Sequence, residues 1–278
     1  MVDKPMTLHV DLTRVLKENS RTFFIPIVRL PARLQETVAS AYLCMRAIDE
    51  IEDHPDLDDA KKAALLHGLG PILQARIGVG NAHASIAELD FFFSPYHAVL
   101  PEVTLRIGEW LLNVPTEIAP RVWDATIAMA ERMAYWVENH WQIQTEADLD
   151  GYTFSVAGAV GLLICDIWSW FDGTAIDRIC AVQFGRGLQA VNILRNRKED
   201  ADRGVNFFPT GWTEKDMFTY ARKNLDPART GVASMPKCSF KYFVEIPLLL
   251  AEGTLKAIEN GLGKLSREQV MQIVGTTP

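Results

Sequence analysis

Proline placement constrains the fold of this chain more than any other feature. Pro26, Pro31, Pro55, Pro71, Pro95, Pro101, Pro115 and Pro120 punctuate the first half, and none follows until Pro209. Proline fixes φ and lacks an N–H, so it disrupts helix interiors. A long proline-free stretch with apolar residues recurring near every 3.6 positions therefore predicts successive helices. Asp150-Gly151 and Asp172-Gly173 occur, but their flanks do not alternate apolar with polar, so hairpins are not indicated. One helix is expected to begin after Pro31, a residue suited to a helix start, and to stop at His54-Pro55. Others are expected near 58–77, 81–93, 101–112, 118–146, 149–170, 174–200, 213–224, 238–260 and 266–274, with a structured loop over 201–212. No flexible linker, low-complexity tract or fixed-period repeat interrupts them. The reading is an all-α chain with one domain over 1–278.

The remaining bounds are mostly exclusions. The chain has 278 residues, 28 basic against 35 acidic, and a net charge of −7, which argues against a nucleic-acid partner because phosphate binding needs a basic face. Cys44, Cys165, Cys180 and Cys238 are far apart in apolar contexts, which indicates reduced core thiols and neither a zinc site nor a disulfide framework. The N-terminal stretch lacks the basic start and apolar block of a signal peptide. The apolar run from Val156 to Cys165 is short for a bilayer, so a soluble cytoplasmic protein without a transmembrane segment is expected. No histidine pair, dinucleotide fingerprint or nucleophile elbow is present. His140 reads as structural, and Gly185-Arg186-Gly187 is too short to carry a function.

Two oxygen-rich stripes stand out. Asp49 and Asp53 are four apart and share a helix face, with Arg46 one turn earlier. Asn192, Asn196 and Asp200 step by four along another predicted helix, with Gln189 one turn before and Arg195 beside them. Either stripe alone reads as a solvated polar face. Together, two helices bearing carboxylate and amide oxygens near arginines point to a diphosphate held with Mg²⁺, a hard cation that binds a few carboxylates plus substrate phosphates.

At these residues the sequence resembles the squalene and phytoene synthases. The resemblance runs over roughly residues 17–212. It is carried by Ser20-Arg21-Thr-Phe-Phe, by Tyr42-Leu-Cys-Met-Arg46-Ala-Ile-Asp49 through Asp53, by Tyr152-Thr-Phe-Ser-Val-Ala-Gly-Ala-Val-Gly161, and by the run from Gln189 to Pro209. It implies an all-α isoprenoid-synthase helical bundle around a central apolar cavity, and Mg²⁺-dependent ionisation of an allylic isoprenyl diphosphate. Carried over, Asp49 and Asp53 are the first metal-binding pair, and Asn192, Asn196 and Asp200 the second. Ser20, Arg21, Arg46 and Arg195 hold diphosphate oxygens. Tyr152 faces the reacting carbons, with Tyr42 and Gln189 in the same cavity.

The sequence departs from the family at Asn196, where an aspartate is usual. One fewer charge weakens metal recruitment there and bears hardest on condensations that need two diphosphates. The wording around both stripes also resembles a squalene-synthase-like branch that prenylates aromatic acceptors such as carbazoles. The expectation is therefore prenyl transfer to a small aromatic molecule. Head-to-head condensation to squalene, phytoene or a related hydrocarbon is the alternative, and a non-catalytic binding subunit a third. Gly158 and Gly161 would either line a prenyl chain or let helices pack closely. Phe23, Phe24, Phe154 and Phe184 would either face a cation or fill core. Phe91-Phe92-Phe93, Trp136 and Trp141 are open in the same way.

Overall fold

A computed structural model of the protein describes residues 10–20, 22–74 and 82–276. Among them the chain is helical and contains no strand. The first elements are α1 (Val10–Asn19), α2 (Phe24–Val28), α3 (Ala32–Glu52), α4 (Asp59–Gln74), α5 (Ala82–Phe93), α6 (Glu102–Leu105), α7 (Ile107–Leu112) and α8 (Ala119–Glu138). They are followed by α9 (Glu146–Thr153), a π-helical turn over Phe154–Gly158, α10 (Ala159–Asp172), α11 (Arg178–Asp202), α12 (Glu214–Ser234), α13 (Ser239–Glu259) and α14 (Arg267–Thr276). Contacts group the chain into two compact units. One holds 31–140 with the N-terminal residues to 24 and the short piece 169–173; the other holds 25–30, 141–168 and 174 onward.

In the first unit α3 is the central element, and α1, α4, α6, α7 and α8 pack against it. Pro31 stands just outside its start in extended backbone, and its carbonyl accepts the Gln35 N–H at 2.7 Å. Leu43, Cys44, Ala47, Ile48 and Ile51 are fully sealed. The Thr104 hydroxyl donates to the Ala47 carbonyl at 2.9 Å, which ties α6 to the middle of α3. His67 bridges Glu131 and Glu138, at 2.8 and 3.2 Å, and so links α4 to α8. The stretch expected as one helix over 101–112 breaks at Arg106, whose guanidinium gathers Asp11, Glu102 and Glu109. Phe93 is buried and Phe91 exposed, so the three phenylalanines divide between core and surface.

The helix expected over 118–146 ends at Glu138 instead. His140 and Trp141 take positive φ of 51° and 47°, outside the helical region. His140 is paired with Asp59 at 2.9 Å, a structural contact as expected. Thr145 and Asp148 then form a capping box that starts α9.

In the second unit α11 packs on α12, α13 and the π-helical turn. Glycines set that approach. A Cβ on Gly161 would meet the Ala181 carbonyl oxygen at 2.4 Å, and one on Gly185 the Ala157 oxygen at 2.4 Å. Close packing is thus what Gly161 provides, and Gly185 of the short glycine fragment does the same. Helix α12 continues past the expected end at 224, with Pro227 inside it, because Leu225 and Val232 are buried on its inner face. The helical run from Glu146 to Asp172 is long and apolar enough to cross a membrane by length and composition, with a third of its apolar window buried. The core helix of a soluble protein meets the same criterion.

Candidate active site

The first unit assembles the N-terminal candidates around α3. Ser20 is buried, and its oxygen accepts the Phe23 N–H at 3.1 Å. It is also in hydrogen-bond contact with Tyr42, whose phenol donates to the Asn19 carbonyl at 3.2 Å and is pushed up by burial. Phe23 packs its ring 5.9 Å from Tyr42. Arg21 lies outside the described residues. One turn along α3, Arg46 is ion-paired with Asp49 and Glu50, its i+3 and i+4 neighbours. Burial pulls this guanidinium down, but the two carboxylates outweigh it and hold it above its ordinary value. Its Nε is buried without a hydrogen-bond partner.

At the end of α3 the oxygens of Asp49, Glu52 and Asp53 lie within 4.8 Å of one another. Burial, and then the neighbouring Asp53 charge, push the Asp49 carboxyl up to about 6, with Arg46 acting in the opposite sense. Three carboxylates at this spacing suit Mg²⁺, which takes oxygen ligands at about 2.1 Å and so accepts donors about 3–4 Å apart. A divalent cation would also relieve the repulsion that raises Asp49. Glu52 is the member that sequence reasoning missed; its i+3 relation to Asp49 was the available signal.

The turn after Asp53 is held by His54. Its Nε2 contacts the Val99 carbonyl at 3.1 Å and its Nδ1 accepts the Asp56 N–H at 3.2 Å. Those partners assign the proton to Nε2.

The second unit carries the other candidates. Tyr152 is buried near the end of α9 and stacks on Phe207 with ring centroids 4.5 Å apart and planes 19° from parallel. On α11, Asn192 is exposed, Asn196 half-buried and Asp200 buried. The oxygens of Asn196 and Asp200 have local partners. The Asn196 side-chain oxygen accepts from Arg195 Nε at 3.0 Å. Asp200 is paired with Arg203 at 2.9 Å, and its backbone carbonyl accepts the Val205 N–H at 3.0 Å. Asn192 Nδ2 donates to Gln189 Oε1 at 3.5 Å.

The class that emerges is an all-α protein with a crowded carboxylate cluster suited to Mg²⁺ and a second helix bearing an oxygen stripe. The family model for squalene/phytoene synthase matches residues 16–217. The chain belongs to that family of enzymes using prenyl diphosphates. It is 23% identical to a squalene synthase of Nicotiana benthamiana over 95% of its own length and 69% of that protein's. It is 25% identical to the squalene synthase of Homo sapiens over 89% and 63% of the two lengths. The chain thus spans about two thirds of these curated relatives. The solved complex of TcSQS with the ligand E5700 has a similar fold, with a TM-score of 0.76 and 19% identity over 96% of this chain and 85% of that one.

Proposed function

We propose that the protein is a Mg²⁺-dependent prenyltransferase that ionises one allylic isoprenyl diphosphate and transfers the prenyl group to a small aromatic acceptor of the carbazole type. The observation that carries this reading is the inequality of the two stripes. The α3 cluster offers three crowded carboxylates. The α11 stripe offers one carboxylate, Asp200, and two neutral amides, Asn192 and Asn196. Such a pair of stripes suits one diphosphate better than two.

In this reading Asp49, Glu52 and Asp53 would hold Mg²⁺, which would supply charge neutralisation for the departing diphosphate. Arg46, Ser20, Arg21 and Arg195 orient the diphosphate oxygens, and Asn192, Asn196 and Asp200 supply a weaker second set of ligands. The C–O bond breaks with its electron pair leaving on diphosphate. The acceptor ring then attacks the allylic cation, and the new C–C bond forms as the attacked carbon loses its proton. Tyr152 handles that proton at its phenol oxygen. Val156, Val160 and Ile164 on the helix after Tyr152, and Phe184 and Leu188 on α11, are half-buried apolar side chains. They suit a prenyl chain and exclude the water that would capture the cation. Cytoplasmic placement belongs to the same proposal and is supported by the four free thiols.

Head-to-head condensation of two prenyl diphosphates is the second reading, favoured by the names of the relatives. Incubation with Mg²⁺ and single allylic diphosphates of five to twenty carbons, followed by mass spectrometry, separates the two. Products that appear only when an aromatic acceptor is added support the lead reading. A hydrocarbon of doubled carbon count from one diphosphate overturns it.

A further inference from the structure

Tyr220 of α12 is buried, yet its hydroxyl is not idle. It donates to Asp150 Oδ1 at 2.7 Å and lies 3.0 Å from the Thr153 hydroxyl. Thr153 Oγ1 also reaches the Leu149 carbonyl at 2.7 Å. Thr153 Oγ1 also lies 3.4 Å from the Asp150 carbonyl, so two hydroxyl protons face four contacts. The charged carboxylate claims the tyrosine proton, because charge-assisted hydrogen bonds are the stronger ones. Thr153 then divides its proton among the Leu149 carbonyl, the more distant Asp150 carbonyl and Tyr220, and in the last state a relay runs from Thr153 through Tyr220 to the Asp150 carboxylate. Arg186 Nη1 of α11 stands 3.5 Å from the same Asp150 oxygen.

All these groups bear on one turn of α9. Asp150 and Thr153 are three apart and share a face. Tyr152 lies between them and points away, onto Phe207. Immediately after Thr153 the helix widens into the π-helical turn, a departure that is rare and is found mostly at functional sites. On the far side that turn is clamped by α11, where Gly185 leaves no room for a Cβ against Ala157. The last regular turn before the change of register is therefore fixed to α12 by a hydroxyl that a purely apolar core would not need.

We propose that Tyr220 is a positioning residue for Tyr152, acting through Asp150 and Thr153 on the helical turn that carries it. This inference rests on the reading of Tyr152 as the group at the reacting carbons, and the test separates the two. The protein is labelled with 3-fluorotyrosine, and the Tyr152 fluorine signal is identified by its loss in Tyr152→Phe. Stacking on Phe207 shifts that signal by ring current, so it reports the position of Tyr152 without any turnover. Tyr220→Phe keeps the ring and removes only the hydroxyl. The expected result is a moved or broadened Tyr152 signal, with kcat for pyrophosphate release from the accepted allylic diphosphate down about tenfold and KM within about twofold. Asp150→Asn keeps an acceptor oxygen without the charge and should move both readouts part of the way; it carries the test if Tyr220→Phe does not fold. An unmoved Tyr152 signal in the folded variants overturns the proposal. Full turnover in Tyr152→Phe would instead refute the role given to Tyr152, and the fluorine signal alone would then decide whether Tyr220 positions that ring.

Discussion

The carboxylates of α3 and the oxygen stripe of α11 have the same helical spacing and opposite local chemistry. Asp49, Glu52 and Asp53 crowd one another, and burial with mutual repulsion lifts Asp49 to about 6. On α11 the oxygens have found neighbours, Arg195 for Asn196 and Arg203 for Asp200. A cluster that is costly when empty has much to gain from a cation. A stripe with one carboxylate and two amides has less, because amide oxygens bring no charge to the metal. Spacing along a helix thus identifies potential ligands, while the number of charges crowded together decides which of them are poised to bind.

The sharpest way to break this comparison is to delete one oxygen from each helix. Asp49→Ala should reduce Mg²⁺-dependent pyrophosphate release at least about a hundredfold, the scale of removing one electrostatic contributor to a transition state. Asn196→Ala should change it less than about threefold. Equal losses would overturn the inequality drawn between the two stripes.

Restoring charge on α11 is the next test. Asn196→Asp should lower the Mg²⁺ concentration for half-maximal turnover about tenfold, roughly 1.4 kcal/mol. An unchanged Mg²⁺ requirement would mean that the stripe stays engaged by its arginines whatever its charge.

The smallest effects are expected in metal-free stability, and they should have opposite signs. Asp49 titrates near 6 in the folded protein, against 3.8 for a free aspartate. Between those values the folded state holds the extra proton, so this group lowers stability as pH rises through that window and keeps it lowered above. Asp49→Asn should therefore raise the Tm of the metal-free protein at neutral pH by a few degrees, roughly the shift that 1 kcal/mol gives in a chain of this size. Asp200→Asn breaks the pair with Arg203 and should lower it, by about 1 kcal/mol. Differential scanning calorimetry in chelator checks both, and a Tm fall in Asp49→Asn would remove the argument from crowding.

Much of this architecture can be read from residue order alone. Pro31 and His54-Pro55 bracket α3, and the four-residue steps of both stripes fall on helices as expected. Other features depend on distant atoms. The end of α8 is hidden because polar residues continue the helical pattern, although Thr145-x-x-Asp148 marks the start of the next helix. Pro227 suggests a break that buried neighbours override. Glu52 looks like one more charge on a solvated end; its i+3 spacing from Asp49 is the signal in the sequence, and its burial sets it apart from Glu50 in the structure. The engagement of Asn196 by Arg195 is a choice of rotamers between adjacent residues, which composition and period do not encode.

The glycine contacts between α11 and the helix after Tyr152 have a consequence for mutational tolerance. At Gly161 and Gly185 an added methyl would meet backbone, which cannot swing aside as a side chain can. A saturation library over this region should return glycine at those two positions and variety at half-buried Val160, Leu162, Phe184 and Leu188. Divergence in what the chain accepts would then proceed by exchanging side chains along a fixed backbone seam, with the spacing of the two helices held constant while their lining changes.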